Sequence, residues 1–333
     1  MKTELVPGRP LPPEIRAAWE AILNELPQGS PFLSPLWVEV WMKHFGGSLE
    51  PTLLLFRDGA GTLRGVGHLT KTLGNGRKGL YLSGSQDVWD YRDFVIQPGW
   101  EEEVFHGLAS LMKKDSLDFI ELKSIAQGSP TVRFFPKIME SEGLRVSRAV
   151  EETVLNLLLP STWEGFLEAL NAKDRHELRR KIRRIEKEGS CEWTRDVDPS
   201  SLDEKVALFL NLHRKSRRDK SEFMTPEMEA YFRSLARELL KRDWLDLSFL
   251  RFRGKEIAAF FSFDFAGVKF IYNSGYDPDF SWYSPGIVLS AYCIRGAIQK
   301  GMKGFNFLRG REDYKYHLGA KEEPNLRLRA ERT

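Results

Sequence analysis

The chain of 333 residues predicts an α+β fold built as two tandem units, each a mixed, mostly antiparallel sheet flanked by helices. Three observations carry this expectation. The length suits two ordinary domains. Strand-like and helix-like segments alternate along the chain twice over. Between residues 246 and 275, three strand-like runs follow one another with only short turns between them. The expected units are 1–152 and 153–333.

The first round opens with a helix over Pro13–Glu25, then a Pro-Gly-Ser turn and an aromatic helix over Leu36–His44. Strands are expected at Thr52–Arg57 and Leu63–Lys71, joined by the turn Asp58-Gly59-Ala60-Gly61. A short strand follows at Gly79–Leu82. The helix Glu101–Lys114 has acids at its start and lysines at its end, as the helix dipole favours. A buried strand fits Asp118–Leu122. The helix Val132–Glu142 stops at Gly143.

The second round begins with a strand at Thr153–Leu159. Ser161 or Thr162 can cap a helix carrying Trp163, Phe166 and Leu170. A basic helix follows from Ala172 to Glu188. Its apolar residues Leu178, Ile182 and Ile185 form one narrow stripe, so most of its surface is charged. Gly189 ends it. A strand at Cys191–Arg195 precedes helices at Ser201–Arg218 and Pro226–Lys241. Strands then fit Asp246–Phe252, Glu256–Phe265 and Val268–Gly275, with turns at Arg253-Gly254-Lys255 and Ala266-Gly267. A long helix, Gly286–Lys300, ends at Gly301, and a strand at Gly304–Leu308 follows.

Composition narrows the function classes. Apolar residues make up 41% and charged residues 29%, which fits globular cores. The net charge is +3, so DNA is not an expected partner. Local basic runs at Lys173–Lys187 and His213–Lys220 suit phosphate-bearing ligands or a solvated helix face. The two cysteines, Cys191 and Cys293, form neither a CxxC pair nor a zinc spacing, so no metal site is expected. The N-terminal stretch has no apolar signal core, and no run reaches the ~20 apolar residues of a membrane span. The expected location is the cytoplasm.

One local feature carries chemistry. The loop Asp277–Tyr283 feeds Ser284-Pro285-Gly286 and a long helix. Proline suits the first turn of a helix, and a glycine there lets an anion approach the unpaired N–H groups. The alternative is simply a good helix start.

Three segments raise the stakes: Arg175–Gly189 (R-x-x-x-L-R-R-x-x-R-R-x-x-K-x-G), Tyr272–Leu289 (Y-x-x-G-Y-D-P-x-x-x-x-Y-S-P-G-x-x-L) and Gly301–Lys315 (G-x-x-x-F-N-F-L-R-G-x-E-x-Y-K). With the order strands, loop, helix, strand, they resemble the acyl-CoA-binding core of GNAT acetyltransferases. More narrowly, they resemble the CelD-like group associated with cellulose and exopolysaccharide biosynthesis, distant relatives of the Fem-type aminoacyltransferases. The likeness is best over residues 150–320. Ser30–Trp37 and Asp90–Asp93 look similar too, less specifically. The Fem-type relatives carry two GNAT-like units, which agrees with the two rounds. The diphosphate loop departs from the usual Q/R-x-x-G-x-G/A, because Trp282–Val288 has one glycine.

The resemblance implies transfer of an acyl group, acetyl in the first instance, from acyl-CoA to an amine or hydroxyl. The acceptor would be a small molecule, glycan or peptide of cell-envelope or polysaccharide metabolism. Charged tRNA is the alternative donor, and a non-catalytic binding protein the third reading. The implied donor site is Ser284, Gly286, Ile287, Val288 and Lys315. Tyr314 can protonate a leaving thiolate, and Arg309 can clamp a phosphate or carboxylate. The oxyanion N–H is expected from the strand Glu256–Phe265. On that strand Asp264, among aromatics, is a candidate general base, or else a solvated strand end. His213 suits acid–base work or a structural place on its helix. Arg175 and Arg179, four apart on one helix face, together with Tyr276 and Asp277, are the candidate acceptor-binding residues. Asp277 can equally form an Asx turn. The first unit is expected to be a degenerate copy.

Overall fold

The structure, a computed structural model, describes residues 1–8, 10–27, 29–47, 51–74, 76–85, 87–195 and 198–332. The chain forms two units, Met1–Thr153 with Glu323–Thr333, and Val154–Glu322.

The first unit runs β1 (Lys2–Pro7), α1 (Pro13–Glu25), α2 (Pro35–Phe45), β2 (Pro51–Arg57), β3 (Leu63–Gly74), β4 (Arg77–Leu82), β5 (Val95–Ile96), α3 (Glu101–Lys114), β6 (Phe119–Ala126), α4 (Pro130–Ser141) and the first part of β7 (Arg145–Leu158). Local chemistry explains the helices. Ser34 Oγ accepts the Trp37 N–H at the start of α2, and Ser129 Oγ accepts the Thr131 N–H at the start of α4, each satisfying a donor the helix cannot. In α1 the buried residues Ile15, Trp19, Ile22 and Leu23 fall on one stripe. The sheet order includes β1-β2-β3-β4-β6. Its pairs are antiparallel except β4 with β6.

The second unit continues with α5 (Trp163–Ala169), α6 (Ala172–Glu188), β8 (Cys191–Arg195), α7 (Leu202–Ser216), α8 (Arg218–Phe223), α9 (Pro226–Leu240), β9 (Leu245–Phe252), β10 (Lys255–Phe265), β11 (Val268–Tyr276), α10 (Pro285–Gln299), β12 (Gly304–Arg309) and α11 (Asp313–His317). The order is β7-β12-β11-β10-β9-β8, and only β11 with β12 is parallel. Each unit therefore repeats one plan: an antiparallel run, a helix, and a strand that returns parallel, which needs a long crossover.

Side chains alternate between the faces of the second sheet. Phe260 joins Val288, Leu289 and Cys293 of α10 and Ile185 of α6 in one buried cluster. Phe261 points the other way, onto Phe209 of α7 and Phe232 of α9. Each fully covered Phe, Leu, Ile or Val among these contributes about 1.5–3 kcal/mol. α10 is buried nearly all round, as a helix apolar on every side must be.

Several elements differ from the sequence reading. The helix expected over Ser201–Arg218 ends at Ser216. Arg217 is extended (φ −161°), and α8 starts anew. β7 begins at Arg145, well before Thr153. The tail forms β13 (Lys321–Glu331), which pairs antiparallel with β6 and so belongs, from Glu323, to the first unit. Its alternation of buried Leu326, Leu328 and Ala330 with Arg327 and Arg329, both paired to Glu121, is a strand pattern.

Candidate active site

β11 and β12 pair only through Val268, Lys269 and Phe270 against Gly304, Phe305 and Asn306. Beyond that, β11 keeps its ladder with β10 to Tyr276, while β12 pairs with β7 at Arg309. The two parallel strands therefore part, and the β11 backbone groups on that edge lose a strand partner. Two irregularities mark the opening. A bulge falls at Tyr272, since Ile271 pairs with Ser262 and Asn273 with Phe261. In β12, Leu308 has φ +55°, and its N–H is held by Asn306 Oδ1 at 2.7 Å. Bulges of this kind re-aim a strand's backbone next to active sites.

A short loop over 277–284 carries the chain from the end of β11 to the start of α10. Ser284 is left-handed (φ 52°, ψ 52°), a conformation that costs a non-glycine residue and that recurs at ligand sites. Its carbonyl takes the N–H groups of both Ile287 and Val288, at 3.0 and 3.1 Å. Pro285 has no N–H. Among the described residues only the Gly286 N–H of this turn lacks a partner, so Ile287 and Val288 do not supply donors as expected. A Cβ on Gly286 would meet nothing within 4 Å, which leaves open space above that N–H.

α6 supplies the positive charge. Lys181 Nζ stands 3.3 Å from Ser284 Oγ. Arg184 donates to the Trp282 carbonyl at 2.6 Å and lies 4.6 Å from the Trp282 ring centroid. Trp282 itself is 71% exposed. Glu177 is held down at about 2 by hydrogen bonds from Arg180 and Lys181. Arg179 and Arg183 are exposed and Arg175 is half-buried, with its guanidinium 3.5 Å from the Leu167 carbonyl.

Other expected residues have structural work. Asp264 sits opposite Lys269 in the β10–β11 hairpin and binds its Nζ at 2.6 Å. It also binds Lys300 at 3.0 Å. Lys300 caps the C-terminal end of α10, about 21 Å along the helix from Gly286 at 1.5 Å per residue. Asp264 is thus remote from the opening, and cations surround it rather than aromatics alone. β10 is paired on both edges, so its N–H groups are consumed by the ladders. The strand with an edge that loses its partner is β11.

Asp277 is buried and binds Lys215 at 2.7 Å and Lys255 at 2.8 Å. It also accepts the Asp279 N–H at 3.2 Å. Burial opposes its charge, but both lysines and that N–H outweigh it, and its pKa falls to about 2. It therefore fastens the loop before Ser284 and has no free oxygen edge for a substrate. Lys315 is likewise buried. It donates to the carbonyls of Phe307, Arg309 and Gly310 at 3.2, 2.8 and 3.1 Å and pairs with Glu312 at 2.9 Å. It pins the end of β12 and leaves no donor for a phosphate. His213 is buried against Phe209 and Phe223. Burial and the nearby Lys220 charge lower its pKa to about 3, so it stays neutral and exchanges no proton near pH 7. Tyr314 packs on Phe307, and burial with the Glu312 charge raises its pKa. It therefore holds its proton, and is a poorer acid than the sequence reading expected. Tyr276 and Arg309 are half-buried at the ends of β11 and β12, at the opening's two rims.

Lys220 was not singled out by sequence. The break at Arg217 swings α8 back onto β11, and Lys220 Nζ donates to the Ser274 carbonyl at 2.5 Å and to Ser274 Oγ at 3.1 Å. Burial, then the Arg217 charge, push its pKa down to about 8 against the pull of Glu312. Neither cysteine serves as a nucleophile: Cys293 is buried and pushed up to about 12, and Cys191 to about 11, mainly by burial.

The first unit has the same parting, since β4 pairs with β6 only at Gly79, Leu80 and Tyr81. There the chain fills its own gap. Arg92 bonds across to the Ser124 carbonyl at 3.1 Å and to Ser124 Oγ at 3.0 Å. Trp89 is buried, with its ring N–H on the Phe32 carbonyl at 2.8 Å. The motif residues Ser30 and Ser34 cap helical turns. Asp93 accepts from Thr131 at 2.6 Å and from Ser129, while burial lifts its pKa to about 6.

Residues 172–316 match the family model described as Acetyltransferase (GNAT) domain. Among solved structures the chain is similar to FemX, with 10% identity over 98% of this chain and 97% of that one and a TM-score of 0.67. It is also similar to the C-terminal domain of a putative lysylphosphatidylglycerol synthetase from Agrobacterium fabrum (12%, 95% and 91%, 0.56). A third likeness is to a tandem GNAT protein from the clavulanic acid biosynthesis pathway (10%, 98% and 98%, 0.50). No curated protein matches the sequence. At these identities the likeness is one of fold: the protein has the mixed α+β GNAT fold, in two units. Among the described residues no cluster could hold a metal ion, and no helix is long and apolar enough to cross a membrane.

Proposed function

We propose that the second unit is an acyltransferase that moves an acyl group, acetyl first, from acyl-CoA to an amine or hydroxyl. The observation that carries this is the parting of β11 from β12, with α10 starting a short loop after β11. A thioester fits there on two grounds. The open space over Gly286 and the cations Lys181 and Arg184 suit the diphosphate. The backbone groups of β11 past Phe270, where β12 no longer pairs, suit the charge that develops on the acyl oxygen. Those groups are rigid because the other β11 edge is fixed by β10, so little reorganisation accompanies attack. The first unit, whose gap is closed by its own chain, holds no donor in this reading.

The acceptor belongs to cell-envelope or polysaccharide metabolism, and the reaction is cytoplasmic. This finer part rests on the CelD-like segments at Arg175–Gly189, Tyr272–Leu289 and Gly301–Lys315. The exposed Arg179 and Arg183 suit an anionic acceptor.

Calorimetric titration with acetyl-CoA and desulfo-CoA tests the donor. Micromolar binding is expected, and Gly286→Trp, which fills the open space, is expected to weaken it at least tenfold. No binding at millimolar ligand contradicts the reading. A gel shift with charged tRNA in that case would point to aminoacyl transfer instead, with salt dependence as the control.

A further inference from the structure

We infer that Lys220 is a catalytic residue: its side-chain amine takes the proton of the acceptor nucleophile as that nucleophile attacks the donor carbonyl. The inference rests on the acyl-transfer reading of the β11–β12 opening and names the group that handles protons there.

The first ground is position. Ser274 lies on the length of β11 that has lost its partner strand. Lys220 reaches it because α7 stops at Ser216 and α8 folds back. Charged neighbours come from both sides of the opening: Arg217 and Asp219 from the α8 turn, and Glu312 and Lys315 from around α11. His213 of α7 also faces it and is neutral. Lys220 therefore stands between the free edge of β11 and the segment after β12.

The second ground is valence. A neutral lysine amine has two N–H bonds and one lone pair, and an ammonium has three N–H bonds. Ser274 uses two donors, through its carbonyl and its hydroxyl. Among the described residues no carboxylate lies within salt-bridge distance of Lys220, and no further partner takes a third proton. The third position of the nitrogen is left for a lone pair or for an exchangeable proton.

The third ground is elimination. Lys315 is consumed by three carbonyls and Glu312. Asp277 is held by two lysines, His213 stays neutral, and Tyr314 keeps its proton. Asp264 lies at the far end of α10. With its pKa near 8, about a tenth of Lys220 is neutral at pH 7, against about one in three thousand for an ordinary lysine. That places it where a general base works best.

The step balances without a further reagent. The acceptor's nitrogen or oxygen pair forms a bond to the acyl carbon, and its proton passes to the Lys220 nitrogen. The carbon–sulfur bond breaks, and its pair leaves on sulfur. The proton then passes from Lys220 to the thiolate or to solvent. An amide or ester and a thiol result.

The test uses the full chain and isotope-labelled acetyl-CoA with no acceptor, read by peptide mass spectrometry from pH 6.5 to 9.5. Without an acceptor the nearest neutral amine is acylated instead. Lys220 is expected to be labelled at least tenfold faster than exposed lysines such as Lys137, whose side chain is 73% exposed. Its rate should rise about eightfold from pH 6.5 to 7.5, flatten above 8.5, and be suppressed by desulfo-CoA. Lys220→Arg keeps donors for Ser274 but cannot deprotonate, and it is expected to bind desulfo-CoA as the parent does. If desulfo-CoA binds while Lys220 labels no faster than Lys137, the proton role is overturned and the donor site stands. If Lys220→Arg loses the binding, Lys220 is a donor-binding group and the proton role is again overturned. If desulfo-CoA does not bind the parent, the donor reading falls and the role of Lys220 with it.

Discussion

Gly275→Ala is expected to destabilise the second unit by about 3 kcal/mol or more and to abolish any activity of that unit. A Cβ at Gly275 would stand 2.3 Å from the His213 backbone nitrogen and 2.4 Å from the Leu212 carbonyl carbon. Both are main-chain atoms of α7, so no rotamer change relieves the contact. α7 must move from β11 by roughly an ångström, and adding volume to a filled interior costs about 1–3 kcal/mol even where side chains can give way. The same shift would carry α8 and Lys220 away from Ser274. Urea unfolding followed by tryptophan fluorescence reads the loss, provided the transitions of the two units are separated. Gly286→Ala is the control. With nothing within 4 Å of that Cβ, its stability should stay within about 1 kcal/mol of the parent.

Lys269→Met should cost nearly as much, about 3–5 kcal/mol. Lys269 is buried on β11 and binds the fully buried Asp246 at 2.9 Å. Asp246 also receives Ser248 Oγ at 2.6 Å and pairs with Arg195. Burial opposes its charge, but Lys269, Ser248 and Arg195 together hold its carboxyl well below the usual carboxylate range. Removing Lys269 leaves that carboxylate under-compensated in a dry interior. The double variant Asp246→Leu with Lys269→Met removes both charges and should recover at least half of the loss, because the cost lies in the orphaned charge rather than in a missing attraction. A double variant as unstable as Lys269→Met would show that the pair itself holds the unit together. The sign with pH follows. The folded pKa of Asp246 is depressed, so its contribution is complete above the ordinary carboxylate pKa and is lost as pH falls toward the lower folded value.

The sequence made the elements legible where local chemistry sets them. The stripe Leu178, Ile182 and Ile185, the acids and lysines at the two ends of Glu101–Lys114, and the turns at 253–255 and 266–267 all mark their helices or strands. What it did not show depends on contacts between distant residues. The aromatic residues around Asp264 in the sequence suggested a base. The five-residue hairpin separation from Lys269 was the better signal, since opposite charges that face each other across a tight turn pair. Lys315 reads as a phosphate ligand until three carbonyls are seen to surround it. Lys220 reads as one more cation in His213–Lys220 because nothing local announces the break at Arg217. In the same way β13 looks like a tail until β6 supplies its partner.

The central claim is that the donor lies where β11 parts from β12. Hydrogen–deuterium exchange with and without saturating desulfo-CoA addresses it directly. Slowed exchange is predicted in peptides covering 271–276 and 284–288, with no change at 79–83 or 119–126 in the first unit. Protection at the first-unit strands, or bound ligand that leaves 271–276 and 284–288 unchanged, would contradict it.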